Sequence, residues 1–333
     1  MRVFAFEFFS GGGLAQQPLP ASLAREGDLM LTSLIGELAE VPGVEVVASR
    51  DPRMPVLAGC RTLLPDPGED PASLYARGLA AADAAWPTAS ESGGALERFA
   101  SETVASGKTL LGCSLAAVRL TASKRGTARV LHGAGIAAVP TFALLDQPRS
   151  IPGRWVVKPD DGAGCDCTEV VFDWAAAMER LRAEPGRLVA QPWIEGEPLS
   201  LSMICARGAA RLLACNRQAI GLRDGRIYLE RILVNAVSDG DGRWARLADR
   251  IAAAIPGLWG YVGVDLVLSP AGPVVLEINP RLTTSYCGLR AAVGINTAAL
   301  VLGLLGTKGE LPTGGPTVRD GLVEICLEPA GGP

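Results

Sequence analysis

Asp265, Glu277, Asn279 and Arg281 are of types, and at spacings, that could work together on a phosphate. The segment from Gly263 to Asn279 holds two runs rich in Val and Leu around Ser269-Pro270-Ala271-Gly272, a hairpin signal. A three-residue loop, Pro270-Ala271-Gly272, pairs Ser269 with Pro273 and sets Asp265 directly opposite Glu277. The two-residue strand period then gives Asp265, Glu277 and Asn279 one face. Val264, Leu266, Leu268, Val274, Leu276 and Ile278 take the other, buried face. Three oxygen side chains on a rigid sheet suit a hard cation such as Mg²⁺, with Mn²⁺ as the alternative. Arg281, two residues on, offers a planar fork of donors to a phosphate oxygen. A solvated sheet face accounts for scattered acids, but not for three converging ligands with an arginine beside them.

Other segments carry related chemistry. Lys158-Pro159-Asp160-Asp161-Gly162-Ala163-Gly164 ends a strand on a lysine and runs into a glycine loop. Glycines let backbone N–H groups turn toward phosphate oxygens, and the lysine adds a point charge. The segment lacks the GxxxxGK[ST] pattern, so it is no P-loop, and a tight turn explains it equally well on its own. Lys124, taken alone, reads as a surface lysine. Gln191 to Glu197 is extended, with backbone groups for a purine edge, Trp193 and Ile194 as apolar walls, and Glu197 for ribose hydroxyls. Core packing explains Trp193 and Ile194 as well, but not Glu197. Ser10-Gly11-Gly12-Gly13 follows the first strand, where α/β folds place ligand loops. Gln16 stands where a GxGxxG needs its last glycine, so the loop suits a substrate or a plain turn better than a dinucleotide.

These residues need elements to hold them. Residues 1 to about 115 alternate strand and helix signals: strands at 3–9, 44–48, 84–87 and 109–112, helices at 22–40, 75–82 and 96–106. That rhythm predicts a small, mostly parallel sheet with helices on its faces. Pro52 to Pro71 reads as a long surface loop, and Ser114 to Gly133 as one or two helices. A compact unit follows, with the strand 155–158 and the helix 174–182. From residue 191 the strands alternate in the antiparallel manner, broken by a helix at 244–254 and a late apolar helix at 291–306. The expected organisation is an α/β (α+β) chain with an N-terminal domain at 1–115, a small domain at 116–190 and a C-terminal domain at 191–333.

Composition sets limits on function. At 333 residues, 48% hydrophobic and 20% charged, the chain is globular and large enough for more than one domain. A net charge of −4 leaves no basic stripe for nucleic acid. No basic-then-apolar leader opens the sequence, and the most apolar late stretch is shorter than a membrane span. A cytoplasmic protein without membrane or nucleic-acid partners is expected, acting on small-molecule substrates, with a homodimer as a further option. The eight cysteines have no paired CxxC spacing and read as reduced thiols. One histidine, His132, offers neither a zinc set nor a Ser–His–Asp nucleophile.

Taken in order, these pieces resemble the ATP-grasp superfamily, and the resemblance covers most of the chain. It implies a pre-grasp α/β domain, a small lid domain carrying Lys124 and Lys158, and a C-terminal antiparallel-sheet domain, with ATP clasped between the lobes. On that reading Lys124 and Lys158 contact the phosphates, and the Gly162–Gly164 loop folds over them. Gln191, Trp193 and Ile194 hold adenine, Glu197 the ribose, and Asp265, Glu277 and Asn279 the Mg²⁺. Arg281 meets the transferred phosphate. The segments Phe6 to Gly13, Lys158 to Gly164, Asn216-Arg217-Gln218 and Glu277 to Tyr286 look like the tyramine–L-glutamate ligase branch, which serves methanofuran-like one-carbon carrier synthesis. That resemblance implies amide formation through an acyl phosphate, joining the glutamate γ-carboxylate to tyramine. Arg217 is the candidate grip on the carboxylate or acyl phosphate. Ser10, Gly11, Gly12 and Gly13, with Thr283, Thr284, Ser285 and Tyr286, are candidates for the acceptor pocket, and Glu7 or Asp161 for taking the amine proton. Phe8 or Phe9 with Tyr286 would form its apolar slot. Grasp ligases joining other amino acids are the alternative, and an ATP-binding regulatory module without turnover is the reading from a different class.

Overall fold

The computed structural model describes residues 1–146, 148, 151–162, 167–307, 310–311 and 321–327. Gly164 and Cys165 therefore lie outside the described residues. Elements are numbered in chain order. The N-terminal sheet contains β1 (Arg2–Glu7), β2 (Glu45–Ser49), β3 (Arg61–Leu63), β4 (Ala84–Thr88) and β5 (Thr109–Leu110), all parallel, in the order β3-β2-β1-β4-β5. Val3, Phe4, Ala5 and Phe6 have no exposed surface, as expected of a central parallel strand covered on both faces. The helices covering it are α1 (Ala21–Ala39), α2 (Pro71–Ala80) and α3 (Ala95–Ala105). Asp70 caps α2 with Pro71 at its first position, a placement that suits both residue types. The stretch from Pro52 to Pro71, expected to be only a loop, contains the edge strand β3. Strand order reverses at β1, so the loop after it lies at the sheet's switch point.

Two helices follow, α4 (Leu115–Ala122) and α5 (Lys124–Gly133). Ser123 caps α5 by accepting from the Gly126 N–H, which puts Lys124 in the first turn. Next come β6 (Trp155–Pro159), β7 (Glu169–Val171), α6 (Trp174–Ala183) and β8 (Leu188–Pro192). They share a small core of their own, in which the Trp155 and Trp174 rings lie 4.8 Å apart. Helices α4 and α5 take no part in it and pack against the C-terminal sheet.

That sheet is built from β9 (Glu197–Ala206), β10 (Ala209–Arg223), β11 (Arg226–Val234), β12 (Gly260–Ser269), β13 (Gly272–Asn279) and β14 (Val323–Cys326). Its order is β13-β12-β9-β10-β11-β7-β6-β8, with β14 also on β11, and its strand pairs are antiparallel. The small unit joins it through one pair, Arg226 with Glu169. Helix α7 (Arg243–Ala254) covers it with Trp244, Leu247, Ala248, Ile251 and Ala252.

The late apolar stretch is two helices, α8 (Tyr286–Val293) and α9 (Thr297–Gly306), bent by 94°. Gly294 ends α8 in a left-handed conformation (φ 74°), and Asn296 caps α9 by accepting from the Ala299 N–H at 2.8 Å. Those are a helix stop and a helix start in succession. Among the described residues no single helix is long and apolar enough to cross a membrane. One apolar cluster runs from Phe4, Phe6 and Phe99 of the first layer to Leu199, Val262 and Ile278 of the second. The N-terminal and C-terminal layers thus bury a shared core.

Candidate active site

The hairpin of β12 and β13 pairs Asp265 with Glu277, as the alternating pattern requires. It does so by a different route. The turn has two residues, Pro270 and Ala271, because Ser269 pairs with Gly272, whose φ of 120° favours glycine. A one-residue bulge at Leu276 restores the register, since Leu266 pairs with Val275. On the turn side of the bulge the faces are exchanged. Val275 is buried, while Val274 and Leu276, expected in the core, are only partly buried.

The three candidate metal ligands meet on this hairpin. Asn279 Nδ2 donates to Asp265 Oδ2 at 2.8 Å, and Gln218 Nε2 on β10 donates to Asp265 Oδ1 at 2.8 Å. Burial, followed by the neighbouring Glu277 charge, pushes the Asp265 carboxyl above its ordinary value. Burial also works against the Glu277 charge, but Lys124 and Lys158 outweigh it and hold that carboxyl below its ordinary value. Among the described residues no three His, Cys, Asp or Glu side chains gather as a metal cluster. The set is instead two carboxylates and an amide, close to two ammonium groups. All-oxygen donors fit a hard divalent cation and do not fit a soft metal.

Both lysines reach the same oxygen. Lys124 Nζ and Lys158 Nζ each lie 3.5 Å from Glu277 Oε2. Lys124 Nζ also donates to the carbonyl oxygens of Gly162 and Asp160, the latter at 3.4 Å. Lys124 is only 4% exposed, so it is no surface lysine. The cap explains its position: Ser123 Oγ donates to Asp160 Oδ2 at 2.7 Å and the Arg125 N–H to Asp160 Oδ1 at 2.9 Å, tying the start of α5 to the loop after β6.

Arg281 is partly buried and engaged side-on by Glu91, with Nε at 3.0 Å from Oε1 and Nη2 at 3.0 Å from Oε2. Burial disfavours its charge, but Glu91 more than compensates and keeps it cationic. Sequence reasoning missed Glu91, as it missed Gln218. The only signal available for Glu91 was its place in the loop after β4, at the ligand end of a parallel strand.

The nucleotide candidates lie along the connection between β8 and β9. Gln191 is buried, and its Nε2 donates to Thr141 Oγ1 at 2.9 Å, which fixes the side chain beside its backbone groups. Trp193 and Ile194 are half-buried, and the Arg154 guanidinium stacks 4.6 Å over the Trp193 ring. Arg217 on β10 donates through Nε to Glu197 Oε1, so the candidate carboxylate grip and the candidate ribose acid are partners of each other.

The acceptor candidates divide into two groups. The Ser10–Gly13 loop winds tightly on itself. The Ser10 N–H and Oγ–H donate to Glu7 Oε2 at 2.7 and 2.8 Å, and the Gly11 N–H to the Glu7 carbonyl at 2.8 Å. A Cβ at Gly11 or Gly13 would lie 2.2 or 2.4 Å from a backbone oxygen, so the turn itself demands these glycines. Gly12 has a φ of 95°. Burial pushes Glu7 up to about 7 against the Ser10 hydrogen bonds, and the Arg281 charge reaches it. Thr284 Oγ1 donates to Glu26 Oε2 at 3.0 Å. Thr283 and Ser285 share a buried hydroxyl cluster with Tyr261 and Ser202.

Tyr286 departs from expectation. It is 1% exposed, and its hydroxyl donates to Glu37 Oε2 on α1 at 2.9 Å. It is a core residue joining two layers and walls no open slot. Phe8 and Phe9 are half-buried and pack edge-on to one another 5.3 Å apart. Asp161 Oδ2 accepts from the Gly93 N–H at 2.9 Å.

Comparison with known proteins gives concordant results. A family profile described as an ATP-grasp domain matches residues 121–285, and one described as a pre ATP-grasp 3 domain matches residues 44–118. A tyramine–L-glutamate ligase from Methanocaldococcus jannaschii is 30% identical over 183 residues, 54% of this chain and 49% of that protein. A protein named "Probable alpha-L-glutamate ligase" from Xanthomonas axonopodis pv. citri is 30% identical over 154 residues, 45% of this chain and 50% of that protein. The matches span about half the length of these relatives. A crystal structure from Archaeoglobus fulgidus assigned to the ATP-grasp superfamily superposes with a TM-score of 0.73 at 24% identity, over 98% of this chain and 100% of that one. An L-amino acid ligase from Bacillus licheniformis superposes with a TM-score of 0.65 at 17% identity, over 91% of this chain and 73% of that one.

Proposed function

The chain belongs to the ATP-grasp superfamily, and from that premise we propose that it is an ATP-dependent ligase forming an amide between a carboxylate and an amine. The observation that carries the proposal is the convergence of Lys124 and Lys158 on Glu277 Oε2, beside Asp265 and Asn279. Two ammonium groups gathered at one buried point are placed to meet the oxygens of a polyphosphate. The carboxylate pair beside them offers hard oxygen donors for a divalent cation that would enter with the polyphosphate.

In this reading Lys124 and Lys158 bind phosphate oxygens, and the backbone from Gln191 to Ile194 frames the base. Asp265, Glu277 and Asn279 would hold Mg²⁺, which would supply charge neutralisation to the polyphosphate. Arg281 offers a donor to the phosphoryl group as it passes to the substrate carboxylate. The product of that step is an acyl phosphate and ADP, and the amine nitrogen then displaces phosphate. The protein contributes position and charge, and no protein nucleophile is involved.

We favour the L-glutamate γ-carboxylate and tyramine as the pair, in a methanofuran-like one-carbon carrier route, because two tyramine–L-glutamate ligases are among the relatives and the segments from Phe6 to Gly13 and Glu277 to Tyr286 resemble that branch. Ligation of other amino acids is the second reading, favoured by the glutamate-ligase and amino-acid-ligase likenesses. The test is a panel of carboxylates and amines with Mg-ATP, scored by ADP release and product mass. γ-Glutamyltyramine with stoichiometric ADP supports the first reading, and another amide product supports the second. Nucleotide binding without turnover on any pair overturns both in favour of a regulatory module.

A further inference from the structure

We propose that Glu91 is the positioning residue for Arg281, fixing the guanidinium so that one donor is left for the phosphoryl group. This inference rests on the ligase reading above.

The loop carrying Glu91 is firmly held. Ser90 Oγ donates to Ser92 Oγ at 2.8 Å and accepts from the Ser92 N–H at 3.0 Å. The Gly94 N–H donates to the Glu91 carbonyl at 3.0 Å, and the Leu96 N–H to the Ser90 carbonyl at 3.1 Å. Gly93 and Gly94 are both left-handed, with φ of 60° and 69°, a bend that side chains other than glycine's resist. From this loop the Glu91 carboxylate, 5% exposed, reaches Arg281 across 190 positions of sequence. The same loop gives its Gly93 N–H to Asp161, two residues after the strand that carries Lys158, so one turn meets both the arginine and the loop after β6.

The guanidinium has five N–H donors. Nε and one Nη2 hydrogen go to Glu91, the other Nη2 hydrogen to Asn279 Oδ1 at 3.5 Å, and one Nη1 hydrogen to the Leu282 carbonyl at 3.0 Å. Among the described residues that leaves one Nη1 hydrogen for a substrate oxygen. A buried ion pair is a poor way to gain stability, because desolvating both charges offsets most of their attraction. Its use here is orientation. The pair sets a planar fork next to the candidate metal ligands, and small misplacements of a group that stabilises transferring charge are costly in rate.

The experiment compares wild type, E91A, E91D, R281A and the double variant E91A/R281A in steady state, with the carboxylate–amine pair that the wild type turns over. E91A should lower kcat on the order of 100-fold while KM for ATP changes by less than about threefold, and E91D should recover part of kcat. The double variant should be no slower than R281A alone, because Glu91 acts only through Arg281. Additive losses, or an undiminished kcat in E91A, overturn the proposal. If E91A does not fold, E91D carries the test, keeping the wild-type melting temperature with a reduced kcat; an unchanged kcat in E91D then overturns it. A wild type that turns over no pair overturns the ligase reading and this inference together, whereas an active wild type with a normal E91A overturns this inference alone.

Discussion

Asn279 reaches Asp265 diagonally across the β12–β13 hairpin, its amide nitrogen donating to Oδ2 at 2.8 Å. This bond commits the amide nitrogen and turns the amide oxygen away, toward Arg281. An aspartate at 279 would instead place two carboxylates in contact. The asparagine thus lets one more oxygen join the site without adding charge to a carboxyl already pushed up by burial and by Glu277.

Glu277→Gln or Asn279→Ala is expected to lower turnover on the order of 100-fold or more at saturating Mg²⁺, since each removes an oxygen donor from the transferring phosphoryl group's surroundings. ADP release measures the loss, and a far-UV spectrum checks that the fold persists. Near-normal turnover in either variant would remove the metal assignment.

Lys158→Ala should weaken ATP binding and slow phosphoryl transfer together, because a point charge serves both the bound nucleotide and the transition state. The fold should survive, as Lys124 stays beside Glu277. Calorimetric titration and single-turnover rates separate the two effects. A change in one without the other contradicts contact with the transferred phosphate.

Glu7 predicts a pH-dependent stability. Its ordinary value is 4.5, and burial pushes it up to about 7. Below 4.5 it is protonated both folded and unfolded, and its burial carries no charge penalty. As pH rises to about 7 the unfolded chain releases the proton first, so stability falls through that window and then levels off, about 3 kcal/mol lower at most. Glu7→Gln removes the titration. Its melting temperature relative to wild type should rise between pH 5 and pH 8, and parallel curves for the two proteins would exclude a raised Glu7.

Tyr286→Phe should cost about 1–2 kcal/mol of stability by removing the hydroxyl bond to Glu37. Glu37 keeps the Ala298 N–H at 2.8 Å, so it is not left without a partner. Turnover and KM for the amine should hold. An increase in amine KM without loss of stability would return this tyrosine to the substrate.

Much of this was legible in the sequence, for physical reasons. Opposed Asp265 and Glu277 follow from a period of two in a hairpin. Apolar runs such as Val3 to Phe6 read as a covered parallel strand because both faces need burial. Glu91 was not legible: it sits in a polar Ser-Gly stretch, and its partner comes from another layer of the fold. Lys124 passed for a surface residue because its burial depends on a loop contact at Asp160 and Gly162, far along the chain. Tyr286 reads as part of a substrate loop from its neighbours, yet it opens a helix packed on α1. The turn length could not be read either, since Val274, Val275 and Leu276 are all apolar and either phase fits.

Leu276 is the hairpin's spare residue. A chain with one more residue in the turn and one fewer in the strand would present the same opposed acids, so the two lengths are alternative spellings of one geometry. Laid side by side, such chains would show a gap at the turn and a second gap a few residues on, two blemishes that amount to a single exchange. Removing Leu276 alone breaks that exchange. Either Glu277 passes to the opposite face of the strand, or the pairing slips back to the turn and the hairpin tip has to be rebuilt.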